Sequence, residues 1–312
     1  MSRQVSVKAY FSLVMAILAA SVAPIFIRYA QVEAPSLVIA ALRLAIAALI
    51  LAPVALRRGA SEIKQLSAKQ KMLATLAGLF MGLHFAAWTS SLEYTNVASA
   101  VFLVNTLPLW VALLSPLVLR ESLSRMALVG MGVALTGGVI VGASDTCNWQ
   151  VGGLVCPNLI TFTSGGALWG DFLALAGALL NAGYLMVGRG IRGSVSLVSY
   201  IFWVYSTGAL ALLGLVWVTG QSVSGYSPIT YLWILLIALI PQLLSHSIYN
   251  WLLRYISAGY ISIAMMGVPV SATLLAFLFL GEVPSVAKLA GAGMILAGIY
   301  IATQREMRGA NG

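Results

Sequence analysis

Residues 119–137 read LRESLSRMALVGMGVALTG, and residues 280–298 read LGEVPSVAKLAGAGMILAG. The two stretches align without a gap at an offset of 161 residues, which places Glu121 on Glu282. The same offset holds over the whole of residues 92–140 and continues upstream of them. The chain therefore consists of two copies of one sequence repeat.

The composition is that of a polytopic membrane protein. Hydrophobic residues make up 61% of the chain and charged residues 8%, and the mean hydropathy is +0.98. Helices of about 20 apolar residues cross a hydrocarbon core about 30 Å thick with every backbone group satisfied. Ten such runs are predicted, named here segments 1 to 10, at residues 9–29, 35–56, 73–93, 97–119, 126–143, 169–188, 195–218, 229–252, 259–280 and 286–303.

The repeat and the segments together predict the fold class, an all-α integral membrane protein. Its parts are a five-helix repeat at residues 1–143, an extracytoplasmic loop at 144–168 and a second five-helix repeat at 169–312. Because five is an odd number, the second repeat must cross the bilayer in the opposite sense to the first. Such inverted repeats are typical of secondary transporters.

The basic residues predict the orientation. With the N-terminus inside, 14 of the 17 Lys and Arg residues fall in cytoplasmic loops and ends, and residues 144–168 contain none. Positive charge marks the cytoplasmic side, so both termini are predicted to be cytoplasmic. The net charge of +9 then reports topology, and nucleic-acid binding is not expected because the charges are spread over short loops.

The chain has two cysteines, Cys147 and Cys156, and both fall in the predicted outer loop. An oxidising compartment would let them form a disulfide, and two free thiols are the alternative. Spacing that would suit zinc is absent, because the two histidines lie in apolar segments. No metal or cofactor is expected.

Enzyme motifs are missing, with no G-x-S-x-G, no H-E-x-x-H and no phosphate-binding loop. The glycines of segments 5 and 10 are instead predicted to let helices approach closely, as small residues do in membranes. These glycines are Gly130, Gly132, Gly137, Gly291, Gly293 and Gly298, and Gly78 and Gly82 in segment 3 have the same predicted role.

Two equivalent prolines, Pro108 and Pro269, fall near the middle of segments 4 and 9. Each removes a backbone donor and clashes with the carbonyl four residues back, so kinks are predicted at Val104 and Met265. Kinked helices at repeat interfaces are where secondary transporters bind substrate. A purely structural kink is the other interpretation.

Polar side chains inside the apolar segments predict a central binding cavity. Buried amides and imidazoles that faced lipid would lack partners, so they should face the interior of the bundle. Interhelical hydrogen bonds are the alternative for any one of them. The predicted substrate-binding residues are His84, Trp88, Asn105, Asn181, Tyr184, Gln242, His246 and Asn250.

Two further hypotheses concern charge inside the membrane. His84 and His246 are candidates for coupling transport to protons, with a neutral, hydrogen-bonded histidine as the alternative for each. Arg43 lies eight residues into segment 2, about 12 Å by the helical rise, which is too deep for easy snorkelling. It must have partners, either an anionic group of a substrate or the carbonyls of a broken helix.

Ten helices in two inverted sets of five, with glycine-rich segments 5 and 10, resemble the EamA family of the drug/metabolite transporter superfamily. The resemblance covers essentially the whole chain. The stretches that carry it are ALRL at residues 41–44, LRE at 119–121, PQLLSHS at 241–247 and LGE at 280–282.

The resemblance implies a bacterial or archaeal inner-membrane carrier, often an exporter of amino acids or other small metabolites. It implies a central cavity lined by segments 1, 3, 4, 6, 8 and 9. Relatives often carry an acidic residue just before the proline of segment 9, where this chain has Val268. A carboxylate for proton coupling is missing at that place.

The expected function is alternating-access transport of a small metabolite, an amino acid or related solute, in the export direction, with protons as a candidate coupling ion. A multidrug efflux carrier is the alternative within transport. A membrane scaffold or assembly protein would need neither paired prolines nor a polar interior. An intramembrane enzyme would need a nucleophile, a base or a metal cluster, and only His84 and His246 could contribute to one. The chain is therefore expected not to be an enzyme.

Overall fold

The computed structural model of the chain describes residues 7–95, 97–121, 123–146, 148–150, 153–155, 165–280 and 284–309. Cys147 and Cys156 lie outside these residues, so the disulfide stays a prediction. The described residues are almost entirely helical, as predicted. The exception is a short hairpin in the loop between the repeats, where Asn148–Gln150 pairs antiparallel with Gly153–Val155.

The helices of the first repeat are Val7–Ser21 and Ala23–Ala30 (segment 1), Ser36–Arg58 (segment 2), the short Ala60–Gln65, Ala68–Tyr94 (segment 3), Val97–Val104 and Leu107–Val118 (segment 4), and Arg125–Thr146 (segment 5). Those of the second are Gly165–Ile191 (segment 6), Leu197–Val218 (segment 7), Pro228–Ile237, Ala238–His246 and Ser247–Leu252 (segment 8), Ala258–Met265 and Gly267–Leu280 (segment 9), and Val286–Gly309 (segment 10).

Within the described residues, eight helices are long and apolar enough, by length and composition, to cross a membrane. They correspond to segments 1 to 4 and 6 to 9. Segments 5 and 10 contain shorter apolar helices, Arg125–Val141 and Val286–Ala302. The chain is thus a multi-pass membrane protein.

Segments 4 and 9 are each interrupted four residues before a proline. The first helix of segment 4 ends at Val104, ahead of Pro108, and the first helix of segment 9 ends at Met265, ahead of Pro269. A proline cannot donate to the carbonyl four residues back, and its ring crowds that carbonyl. The two breaks fall at equivalent places in the two repeats.

Segments 1 and 8 are irregular as well. Segment 1 is interrupted at Val22, just before Pro24. Segment 8 contains a π-helix over Ala238–His246, with Pro241 inside it. A π-helix this long is rare, and π-helical turns often occur at functional sites. Segments 3 and 6, which are equivalent to segments 8 and 1, are continuous helices.

Segments 5 and 10 pack closely against each other in antiparallel orientation. Gly130 meets the carbonyl of Gly298, and a Cβ added to Gly137 would lie 2.5 Å from the carbonyl oxygen of Gly291. Gly130 and Gly137 are the repeat equivalents of Gly291 and Gly298. Each of the two helices therefore packs on its own equivalent, which relates the repeats by an approximate two-fold axis across the helices.

The packing prediction is correct for these four glycines and wrong for Gly132 and Gly293. A Cβ at either position would meet nothing within 4 Å, and both residues are exposed. Two residues along an α-helix turn the side chain by about 200°, so both positions face away from the interface. In segment 3, Gly82 packs against Gly208 of segment 7, as close helix packing requires.

Gly137→Leu should destabilise the protein, whereas Gly132→Leu in the same helix should leave stability nearly unchanged. Overpacking a closed interface costs about 1 to 3 kcal/mol, and the Gly132 position has room for a side chain. The melting temperature of each purified variant measures the difference. Equal melting temperatures for the two variants would show that this interface is not close-packed.

Candidate functional site

The buried centre of the bundle lies where segments 3, 6 and 8 meet. The ring of His246 is edge-on to Phe85 at 5.1 Å and lies 6.4 Å from the ring of Tyr184. His84 and Trp88 stack with 6.1 Å between their ring centroids. All five side chains are buried. The structure thus links four of the predicted binding residues through ring contacts in which Phe85, which was not predicted from the sequence, lies between His84 and His246.

Residues at equivalent places in the two repeats face each other at this centre. Phe85 and His246 are separated by the repeat offset, and so are Met81 and Gln242, whose side chains meet at 3.6 Å between Sδ and Nε2. The approximate two-fold axis therefore passes between these pairs. In these two pairs the first repeat supplies the apolar residue and the second supplies the polar one.

His84 makes an interhelical hydrogen bond that has an equivalent in the other repeat. Its Nδ1 lies 2.8 Å from the carbonyl oxygen of Gly177 in segment 6, and the hydroxyl of Ser245 donates to the carbonyl of Ala16 in segment 1 at 2.7 Å. His84 is equivalent to Ser245 and Ala16 is equivalent to Gly177, so the two bonds join equivalent positions in the two repeats. Because a carbonyl only accepts, Nδ1 of His84 carries the proton. This bond fits the structural interpretation of His84.

Gln242 is fully buried and is bonded to Arg43. Its side-chain oxygen accepts a hydrogen bond from Nε of Arg43 at 3.1 Å, and the hydroxyl of Tyr205 donates to its backbone carbonyl at 3.3 Å. Gln242 lies in the π-helix of segment 8, one turn before His246. The π-helix therefore presents an amide and an imidazole toward segment 3.

Arg43 has only 1% of its surface exposed. Its guanidinium lies over the ring of Phe85, with 3.7 Å from Cζ to the ring centroid. The Nη1 atom makes no hydrogen bond. Of the two partners that the sequence allows, carbonyls of a broken helix are not used among the described residues, and the amide of Gln242 takes their place.

Several other buried polar atoms at the centre also lack hydrogen-bond partners. They are Nε1 of Trp88 and Nδ1 of His246, and Oδ1 of Asn181, about one turn before Tyr184 in segment 6, is a further buried atom without a partner. Buried polar atoms in proteins are nearly always paired, so unpaired ones call for a functional explanation. Donors and acceptors are both represented, which suits a polar ligand.

The side-chain amides of Asn250 and Asn105 each donate a hydrogen bond within their own segment. The amide of Asn250 donates to the carbonyl of His246 at 2.8 Å, and its backbone carbonyl accepts from Arg192 at 2.9 Å. Asn105 is half-buried at the break in segment 4, and its amide donates to Val101 of the same helix. The side chain of Asn250 also interacts with the hydroxyl of Tyr184, one of the rings beside His246, whereas no contact between Asn105 and these rings is found among the described residues.

The breaks of segments 1 and 9 are joined by Ser21. Its hydroxyl lies 2.7 Å from the carbonyl of Ile17 and 3.2 Å from that of Val268, next to Pro269. A hydroxyl that bridges carbonyls near prolines compensates for helix breaks in the membrane. The breaks thus lie at a contact between the first and second repeats.

Met81, Phe85 and Tyr205 also lie at the centre and were not predicted from the sequence. The repeat offset could have identified Met81 and Phe85, because they are the equivalents of the predicted residues Gln242 and His246. Tyr205 had no signal of its own, since one tyrosine in an apolar segment is common.

Equivalent hydrogen bonds hold the two ends of the bundle. At one end the amide of Gln31 donates to the carbonyl of Thr89 at 3.0 Å, and at the other Nε of Arg192 donates to the carbonyl of Asn250 at 2.9 Å. The second end also carries an ion pair, with 2.9 Å from Arg189 Nε to Glu121. The centre is therefore enclosed at both ends by polar contacts.

Glu62 strengthens the Arg192 end from outside the apolar segments. Its carboxylate accepts hydrogen bonds from the backbone and hydroxyl of Ser196 and from the hydroxyl of Ser199, at the start of segment 7. Burial raises the pKa of Glu62, but these hydrogen bonds outweigh it and the pKa lies below its ordinary value. The carboxylate is therefore ionised at neutral pH.

Comparison with solved structures shows that the fold is shared. Matches are found to 29 chains. One of them, a crystal structure described only as that of a protein, has a TM-score of 0.75 at 20% sequence identity, covering 96% of this chain and 98% of that one. At this identity the likeness shows the fold alone. Comparison with curated proteins gave no significant match.

The sequence model of the EamA-like transporter family matches the chain twice, at residues 7–143 and at residues 168–304. The two matches correspond to the two packed repeats and together cover most of the chain. The chain belongs to the EamA-like transporter family of the drug/metabolite transporter superfamily.

Proposed function

We propose that this protein is a secondary transporter that exports a small metabolite, an amino acid or a related solute, by alternating access. The observation that carries the proposal is the group of buried polar atoms without partners at the meeting of segments 3, 6 and 8. Polar groups inside a membrane protein are costly, and they mark substrate pathways. Their place between equivalent helices is where inverted-repeat transporters bind substrate.

The proposed topology has ten membrane-crossing helices, inverted repeats and cytoplasmic termini in a cell inner membrane. The antiparallel packing of segments 5 and 10 supports the inversion. The charge distribution supports the orientation. Contacts between loops agree with it, since Glu62 bonds to Ser196 and Gln70 to Ser194, which joins loops that must share one side.

Helix movement in the proposed cycle is assigned to segments 1 and 8. Segments 3 and 6 pack as continuous helices, with Gly170 against Thr95 and Gly177 against Trp88. The equivalent pair, segments 1 and 8, contains a break and a π-helix instead. Interrupted helices have fewer regular hydrogen bonds to lose on bending. This asymmetry supports a cycle in which segments 1 and 8 bend while segments 3 and 6 stay rigid.

Proton coupling, if transport uses it, is assigned to His246. Its Nδ1 has no partner, whereas Nδ1 of His84 is held by a carbonyl. The charged and titratable groups around His246 are Arg43, His84, Tyr184 and Tyr249. Multidrug efflux of cationic compounds fits this centre less well, because the charge that the described residues bury there is the positive charge of Arg43.

Asn181→Leu should reduce transport at least about fivefold and leave stability nearly unchanged. The side-chain oxygen of Asn181 has no protein partner, so its removal breaks no internal hydrogen bond, whereas a bound polar group left unpaired loses about 1 to 3 kcal/mol. Counterflow of labelled amino acids into proteoliposomes and melting temperature are the two measurements. The matched control is Thr136→Val, an exposed position that should keep full flux. Equal flux in both variants would place the site elsewhere.

His246→Gln should remove the pH dependence of flux while solute binding persists. His84→Gln is the control, and a wild-type pH profile is expected for it because His84 is assigned the structural role of bonding segment 3 to segment 6 through Gly177. The measurement is initial uptake rate from pH 5.5 to 8, the range over which an ordinary imidazole titrates at about 6.5. A variant at position 246 that keeps the wild-type profile would exclude this imidazole as the proton carrier.

Single cysteines test the topology, in a background where Cys147 and Cys156 are replaced by serine. An impermeant maleimide added to intact cells should label Gln221→Cys and not Ser67→Cys, because the loop near Ser67 is rich in Lys and stays cytoplasmic. Permeabilised cells provide the control, in which both positions should react. Labelling of position 67 in intact cells would refute the proposed orientation.

A further inference from the structure

Arg43 is a buried cation without a counter-ion among the described residues. It lies in the interior of segment 2, 1% exposed, and its Nη1 makes no hydrogen bond. An arginine keeps its charge in proteins. A buried charge is tolerated when it is paired and fully hydrogen-bonded. Arg43 contacts the amide of Gln242 and the ring of Phe85, but neither of these groups carries a negative charge.

The described acidic side chains are used elsewhere. Glu33, Glu62, Glu93, Glu121 and Asp171 all lie in loops or near the ends of segments. Four of them are already bonded there, to the start of segment 8, the start of segment 7, the start of segment 2 and Arg189 respectively. Among the described residues, none is available to neutralise Arg43.

Arg43 borders the same group of side chains as the proposed site. The ring of Phe85 has the guanidinium of Arg43 over its face and the ring of His246 at its edge. Gln242, which holds Nε of Arg43, is one turn from His246. The Nε contact orients the guanidinium and leaves its Nη1 free for another acceptor.

We infer that Arg43 binds the carboxylate of the transported solute, which makes small organic carboxylates the substrate class. The inference rests on the proposed transport function. A carboxylate supplies both the missing negative charge and an acceptor for Nη1, and arginine is suited to it because its planar donors match carboxylate geometry. The apolar part of the solute then packs among Phe85, Trp88 and Tyr184, and any amino group lies toward Oδ1 of Asn181.

The test compares matched solutes on wild-type protein. Alanine, leucine and phenylalanine are each compared with the corresponding primary amide, which keeps the ammonium and loses the carboxylate. A third series, propionate, 4-methylpentanoate and 3-phenylpropionate, keeps the carboxylate and loses the ammonium. Equilibrium binding is measured by calorimetry in lipid nanodiscs, and counterflow is measured in proteoliposomes.

Loss of the carboxylate should weaken binding by about tenfold or more, as expected for a lost hydrogen bond to a charged group. Loss of the ammonium should matter less. Arg43→Gln should abolish the preference for acids over amides. Arg43→Lys should retain the preference with weaker binding, because charge is kept and the planar donors are lost.

Arg192 offers a matched control. It is also an arginine with 1% exposure, but carbonyls of Asn250 and Val195 accept its hydrogen bonds. Arg192→Gln should lower the melting temperature and leave the preference for acids unchanged. If Arg43→Gln does not fold, the wild-type comparison of acids with amides and the Arg43→Lys variant still decide the question.

The outcomes separate this inference from the proposed function. Amides that bind and exchange as well as acids would overturn the role of Arg43 and leave transport standing. Acids that bind through Arg43 but never exchange would support the role of Arg43 and contradict transport. No binding and no exchange for any solute would overturn both.

Discussion

The antiparallel contact between the glycines of segments 5 and 10 is the constraint on which the rest of the structure depends. Gly137 and Gly291 bring the two backbones so close that a side chain at either would overlap a carbonyl. Two equivalent helices packed in this way impose a two-fold relation on the repeats. This relation makes the hydrogen bond from His84 to Gly177 equivalent to the one from Ser245 to Ala16.

Several equivalent positions at the centre of the bundle carry unlike residues. The backbone frame is nearly symmetric, but Phe85 faces His246 and Met81 faces Gln242. Arg43 is likewise equivalent to an apolar residue, Val204 of segment 7. The second repeat thus supplies the polar member of the first two pairs, and the first repeat supplies the charged member of the third. A buried polar group without an internal partner is destabilising on its own, because it loses its hydrogen bonds to water on burial.

The irregular helices are distributed with the same asymmetry. Breaks before Pro108 and Pro269 occur in both repeats, so they belong to the common frame. The break before Pro24 and the π-helix around Pro241 have no counterpart in segments 6 and 3. The contact between segments 1 and 8 therefore joins two interrupted helices, whereas its equivalent joins two continuous ones.

The sequence by itself determined the repeat, the membrane class and the positions of the helix breaks before Pro108 and Pro269. Each of these follows from local chemistry, since hydropathy, proline's missing donor and a constant register need no knowledge of neighbours. Only the tertiary structure decided which face each helix presents. Gly132 and Gly293 read like their neighbours in sequence but point away from the interface, and Asn105 bonds to its own helix. Met81 and Phe85 became part of the centre, and Arg43 found an amide instead of a carbonyl. Rotation of a helix by a single residue turns a side chain by about 100°, and this angle is fixed by packing between helices, which one chain's local pattern does not contain.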